Sequence, residues 1–210
     1  GFIKSLEEAV AKVNKEIEGS NIVIYGAGGV AKEVTRGLAQ RKVNRLRIIN
    51  RTFEKAVALA EELNKVYGPI AEGNSEDASR GMILSSYLKI DAIINLSDKG
   101  SDGPLVNTAM YAAANEYNET DARNMLRILK QLRPDVVIAD IVLPKVQPSV
   151  SLRLAKSEGL EQLLDGKPMV INQAAPAYYY VQRAHEKVHT TKLTEEEILK
   201  ICKETVAKSI

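Results

Sequence analysis

The short, mostly apolar run Asn21-Ile22-Val23-Ile24-Tyr25 leads straight into Gly26-Ala27-Gly28-Gly29-Val30-Ala31, and a helical pattern then continues to about Gln40. Strand, glycine turn and helix in that order constrain the fold more than any other feature of the chain. The turn has the spelling G-x-G-x-x-G/A in the context that gives the pattern meaning. Gly26 permits the tight turn, Gly28 lets backbone approach a pyrophosphate, and Ala31 allows close helix packing. The free N–H groups at the helix start, on Gly29 and Val30, attract an anion.

Similar units follow. Leu46–Asn50 reads as a second buried strand, and 53–66 as a helix with Ala56, Leu59, Ala60 and Leu63 on one face, stopped by Gly68-Pro69. Asp91–Leu96 and Val136–Val142 read as further strands, separated by a helical segment from Pro104 to Leu132. Later helices are expected over 151–157, 168–188 and, capped by Thr194 with Glu197, through Ala207. An amphipathic helix is expected over 5–18, opened by Ser5 and Glu8. Residues 70–90 give no clear element, with 72–80 resembling a polar loop. Strands alternating with helices require right-handed crossovers, so the fold class is α/β: a Rossmann-like, doubly wound, mostly parallel sheet with helices on both faces. One domain over 1–210 is expected, with flanking helices at 1–19 and 194–210 that pack on it or on a missing neighbour.

The second strand ends in Asn50-Arg51-Thr52, where an acid for ribose hydroxyls is usual in NAD-specific domains. Arg51 can stack on adenine and pair with a 2′-phosphate, Thr52 can donate a hydroxyl, and Lys55 adds charge one turn on. The expected cofactor is NADP. The competing reading makes Arg51 and Lys55 solvated surface cations.

Composition narrows the partners. The 210 residues are 45% apolar and 27% charged with a net charge of +2, and no Lys/Arg block is present, so nucleic acid is not an expected partner. No apolar run reaches the roughly 18 residues that span a bilayer. A single cysteine, Cys202, fits a reducing compartment, and a cytoplasmic location is expected. The chain opens on Gly1, as a processed or truncated piece would.

Asn21–Ala31, Ile49-Asn50-Arg51-Thr52 and Glu54-Lys55-Ala56 together resemble the NADP-binding domain of shikimate dehydrogenases. Later motifs agree in order: Ile93-Ile94-Asn95-Leu96-Ser97, Asp140-Ile141-Val142, and Asp165-Gly166 through Met169 to Gln173-Ala174-Ala175. The resemblance implies that Asn95, Leu96 and Ser97 border the nicotinamide ribose. It also implies that Gly166 and Met169 lie by the nicotinamide, and that Gln173 hydrogen-bonds substrate. The implied reaction is reversible hydride transfer between NADPH and a 3-dehydroshikimate-like keto acid, in which the cofactor does the hydride chemistry and the protein positions and protonates.

The family's N-terminal substrate domain, with its catalytic Lys and Asp, would precede Gly1, so no catalytic residue is assigned within the chain. Leu143-Pro144-Lys145 stands where the family has Tyr-Asn-Pro, and Ser97-Asp98-Lys99-Gly100-Ser101 replaces the usual Gly-Met loop. Two other readings stand beside the first: a non-catalytic NADP-binding or regulatory module, and a related dehydrogenase for another hydroxy acid. A homodimer, or an N-terminal domain or partner chain, is left open.

His185-Glu186-Lys187-Val188-His189 spells H-E-x-x-H, but no third ligand follows and the flanking Arg183 and Lys187 suit a solvated helix end, so no metal is expected. Lys99 reads as a solvated loop cation with a lesser claim as a proton donor. At least two of Tyr178, Tyr179 and Tyr180 are expected to pack.

Overall fold

The structure, a computed structural model, describes residues 1–76, 90–111, 126, 128–145, 148–184 and 193–208. Its strands are β1 (Asn21–Tyr25), β2 (Arg45–Asn50), β3 (Ala71–Ser75), β4 (Ala92–Asn95), β5 (Val137–Asp140) and β6 (Leu163–Leu164). They form one sheet in the order β3-β2-β1-β4-β5-β6, every described pairing being parallel. Tyr25 is in register with Ile49 of β2 on one side and Asn95 of β4 on the other. The order reverses between β1 and β4, and at such a point the connections leave a crevice at the carboxyl ends of the strands. This is the expected Rossmann-like fold.

Alternation along the strands divides the core in two. Ile22, Ile24, Leu46 and Ile48 face α1 (Phe2–Ala11), α2 (Gly29–Gln40) and α3 (Phe53–Tyr67), where Leu6, Leu38 and Leu63 complete one cluster. Val23, Tyr25 and Ile49 face the other side with Met110, Ile128 and Leu129, joined there by Leu152 and Ala155 of α4 (Val150–Ser157). Burying a leucine such as Leu38 fully contributes about 2 kcal/mol, and truncating it to alanine costs about 2–5 kcal/mol once the cavity is counted. The chain continues through α5 (Lys167–Ala184) to α6 (Glu195–Lys208), which lies against α5.

Several elements differ from the sequence expectation. The first helix runs over Phe2–Ala11 rather than 5–18, with Gly1 at its N-cap. Ser5 is therefore no cap: it is buried in the first turn, its hydroxyl donating to the Gly1 carbonyl and accepting from Asn172 Nδ2 at 2.9 Å. Asn14, at φ 54°, adopts the left-handed conformation beyond the helix end. β3 occupies part of the stretch that read as polar loop, and β6 had no reading of its own. Residues 104–107 form a turn and not the start of a helix. Tyr178 and Tyr180 are exposed and only Tyr179 is half-buried, so packing engages fewer of the three tyrosines than expected.

The His185–His189 motif lies outside the described residues. Among the described residues, no group of three or more His, Cys, Asp or Glu side chains is placed to hold a metal ion, and no helix is long and apolar enough to cross a membrane.

Candidate cofactor cleft

The carboxyl ends of four strands enclose a cleft of about 330 Å³. It is lined by Gly26, Ala27 and Gly28 after β1, by Asn50, Arg51, Thr52 and Lys55 after β2, by Glu76 after β3, and by Leu96, Ser97, Asp98 and Lys99 after β4. The residues expected at a phosphate turn and those expected at an adenosine ribose are therefore brought to one place.

Each wall has a local cause. Gly26 has φ 116°, a left-handed value that strains any other residue, and a side-chain carbon there would stand 2.6 Å from the Leu96 carbonyl oxygen. Its N–H donates to the Ile49 carbonyl at 2.8 Å, which fixes the turn after β1 against the neighbouring strand β2. Gly28 and Gly29 differ: a side-chain carbon at either meets no protein atom within 4 Å. Gly28 is the N-cap of α2 without a side-chain cap, and Gly28, Gly29 and Val30 are exposed. Open space over an uncapped helix start with its N–H donors outward suits a bound phosphate. At the end of β2, the Asn50 amide donates to the Thr52 carbonyl at 2.9 Å, and Thr52 is the N-cap of α3. Arg51, Thr52 and Lys55 are all exposed toward solvent and cleft.

Asn95 does not line the cleft. It is fully buried and holds the loop that does. Its Oδ1 accepts from the Ser97 N–H at 3.0 Å and the Ser97 hydroxyl at 2.6 Å, while its Nδ2 donates to the Lys99 carbonyl at 2.9 Å and to Asp140 Oδ1 at 2.8 Å. Asp140, at the end of β5, also accepts from the Ser149 hydroxyl at 2.6 Å and the Val142 N–H at 3.2 Å. Burial raises the Asp140 carboxyl to about 6 despite these donors.

A second cavity, of about 400 Å³, lies beside the turn and is lined by Gly1, Phe2, Ile3, Gly29, Val30, Glu33, Val34, Met169 and Gln173. Of the residues that the resemblance implies for nicotinamide and substrate, Met169 and Gln173 line this cavity, whereas Leu96 and Ser97 line the cleft that holds Arg51. Gln173 is exposed and Met169 half-buried. Gly166 is buried, and a side-chain carbon there would stand 2.3 Å from the Ile141 carbonyl oxygen, so this glycine is needed by the protein's own packing. Lys167 N–H donates to Asp165 Oδ1 at 3.0 Å as α5 begins.

Sequence reasoning missed Glu76, Asp98 and the Asp140–Ser149 contact, and it misplaced Lys99. That lysine is buried, with Nζ 2.7 Å from Glu76 Oε1. Burial lowers its pKa, and the nearby Arg51 charge adds to the lowering, against Glu76 and Asp98. A lysine between polar neighbours gives no sign of a carboxylate 23 positions earlier.

Comparison with known proteins agrees with this architecture. Residues 7–101 match the family described as shikimate / quinate 5-dehydrogenase. The NADP-named shikimate dehydrogenase of Methanocaldococcus jannaschii is 33% identical over 182 residues, which are 85% of this chain and 54% of that protein. The chain thus spans about half the length of this curated relative. Among solved structures, shikimate 5-dehydrogenase from Listeria monocytogenes, in complex with shikimate and NAD, aligns with a TM-score of 0.66 at 20% identity, covering 94% of this chain and 61% of that one. Ligand-free 5-ketofructose reductase of Gluconobacter aligns with a TM-score of 0.60 at 21% identity, covering 96% of this chain and 62% of that one. At these identities the structural matches establish the fold alone.

Proposed function

Since the chain belongs with the shikimate dehydrogenases over the residues it shares with them, we propose that it is the NADP-binding domain, residues 1–210, of an oxidoreductase of that type. The observation that carries this reading is Arg51 with Lys55 at the end of β2, in one cleft with the Gly26–Gly28 turn. The relatives divide, the sequence match being named for NADP and the crystal structure holding NAD. The residues here favour NADP: a guanidinium and an ammonium face the site, Asn50-Arg51-Thr52 supplies no carboxylate, and a 2′-phosphate is a charged, bidentate target for arginine.

The residues divide the work. The N–H groups around Gly28, Gly29 and Val30 hold the pyrophosphate, helped by the positive end of α2. Arg51, Thr52 and Lys55 hold the phosphorylated ribose, with Ala27 and Asn50 shaping the wall between them. Leu96 and Ser97, fixed by Asn95, position the nicotinamide ribose, and Gly166 and Met169 orient the ring. NADP(H), when bound, supplies the hydride. Gln173 orients a keto or hydroxy acid in the cavity beyond the turn. The resemblance assigns the proton-transferring lysine and aspartate to residues outside these 210, which makes catalysis a property of the longer protein.

One observation favours a different acid over shikimate. Leu143, 42% exposed, stands where the family presents a phenol, so the substrate side loses a hydroxyl and gains apolar surface. The test is a dehydrogenase assay on the longer protein, with NADP⁺ and a panel of shikimate, quinate and simpler hydroxy acids. Reduction of NADP⁺ with at least one of them is expected. No turnover with any, despite tight NADPH binding, would favour the non-catalytic module.

A further inference from the structure

Glu76 and Lys99 form a salt bridge between parts of the sheet that are not neighbours. Glu76 follows β3 and Lys99 follows β4, with β2 and β1 between them in the sheet order. Three inter-strand spacings separate those strands, roughly 14 Å, so the loop after β4 and the residue after β3 lean toward each other across the crevice. Their atoms meet at 2.7 Å, with side-chain exposures of 5% for Lys99 and 12% for Glu76.

The position of this pair bears on a ligand. Glu76, which follows β3 next to β2, holds the ammonium in the cleft that Arg51, following β2, also lines. The Arg51 charge is one of the lesser causes that lower the Lys99 pKa, after burial. Arg51, Lys55 and Lys99 line the cleft against Glu76 and Asp98, an excess of one positive charge among its lining residues. A buried ion pair by itself adds little stability, since desolvation offsets attraction, and an apolar pair would join β3 to β4 as well. Cations lining one polar cleft instead suit a dianion.

Resting on the NADP reading above, we propose that Lys99 is a second cation, beside Arg51, for the phosphate on the adenosine ribose, and that Glu76 positions it and tempers its charge. The Lys99–Glu76 pair then sets how strongly the cleft prefers the phosphorylated coenzyme.

Titrations of NADPH and NADH against the wild-type chain, Arg51→Ala, Lys99→Met, Glu76→Gln and the double variant Glu76→Gln/Lys99→Met test this. Lys99→Met is expected to weaken NADPH by about tenfold or more, the scale of one charged hydrogen bond, and to leave NADH within about twofold. Glu76→Gln keeps a carbonyl oxygen for Lys99 but removes the opposing charge, so NADPH should tighten while NADH does not. The double variant removes both charges of the pair together and guards against a folding failure of Lys99→Met. It should bind NADPH about tenfold or more weakly than Glu76→Gln does.

If Lys99→Met and the double variant change both coenzymes equally, or neither, the pair only ties β3 to β4 and the proposal is overturned. Loss of the NADPH preference in Arg51→Ala alone would then leave the NADP reading standing. A wild-type chain that binds neither coenzyme would overturn both.

Discussion

Asn95 Nδ2 donates to Asp140 Oδ1 at 2.8 Å, tying the end of β4 to the end of β5 in the buried floor beneath the cleft. Both amide atoms of Asn95 are in use, so the asparagine transmits the position of Asp140 to Ser97, on the wall assigned to the nicotinamide ribose, and to the Lys99 backbone. A buried aspartate and a buried asparagine thereby fix residues that line the cleft.

Asp140 makes stability depend on pH. Its carboxyl is raised from 3.8 to about 6 by burial, so between those values the folded chain holds a proton that the unfolded chain has lost. The stability this group contributes is fully present below about pH 4 and is lost as pH rises through about 6, an amount of about 3 kcal/mol at 1.36 kcal/mol per unit. Urea denaturation of wild type and Asp140→Asn from pH 4 to pH 8 should show the wild type's stability relative to the variant falling across that window. A difference that stays flat with pH would mean Asp140 is ionised throughout.

Two glycines of one turn should separate folding from binding. Gly26→Ala places a side chain at φ 116° and 2.6 Å from a carbonyl oxygen, which costs about 1–3 kcal/mol of stability. Gly28→Ala meets no protein atom, at an ordinary φ of −84°, so stability should change by no more than about 0.5 kcal/mol. Its methyl occupies space assigned to the pyrophosphate, and NADPH binding should fall about tenfold or more. Unchanged binding by a well-folded Gly28→Ala chain would place the phosphates elsewhere.

Arg51→Ala should lose about 1.5–3 kcal/mol of NADPH affinity, the value of a charged hydrogen bond, with NADH little affected. Calorimetry with both coenzymes reads this directly. Equal weakening toward both would argue for stacking on adenine in place of a phosphate contact.

The sequence disclosed the parts whose causes are local. The β1 turn, β2, α2 and α3 read correctly because apolar periodicity and glycine position determine them. Thr194 and Glu197 form the expected capping box, with hydrogen bonds of 3.2 Å and 2.8 Å in the two directions. Ser5 and Glu8 share that spacing and form none, because the chain enters the helix at Gly1 and Ser5 is taken up by Asn172 from α5. That contact spans 167 positions and leaves no local trace.

β3 was illegible for a similar reason. Ala71-Glu72-Gly73-Asn74-Ser75 is polar and carries a glycine, yet it pairs along the sheet edge because α3 packs closely over it. A side-chain carbon at Gly73 would stand 2.4 Å from the Val57 nitrogen, so the glycine that weakens the strand signal is what admits the helix. Lys99 was misread because its burial depends on Glu76, a partner that only the fold brings near.

The most direct test is a side-by-side titration of the 210-residue chain with NADPH and NADH at fixed ionic strength. Saturable, one-to-one NADPH binding about tenfold or more tighter than that of NADH is expected. Equal affinity for the two, or no binding of either, would contradict it.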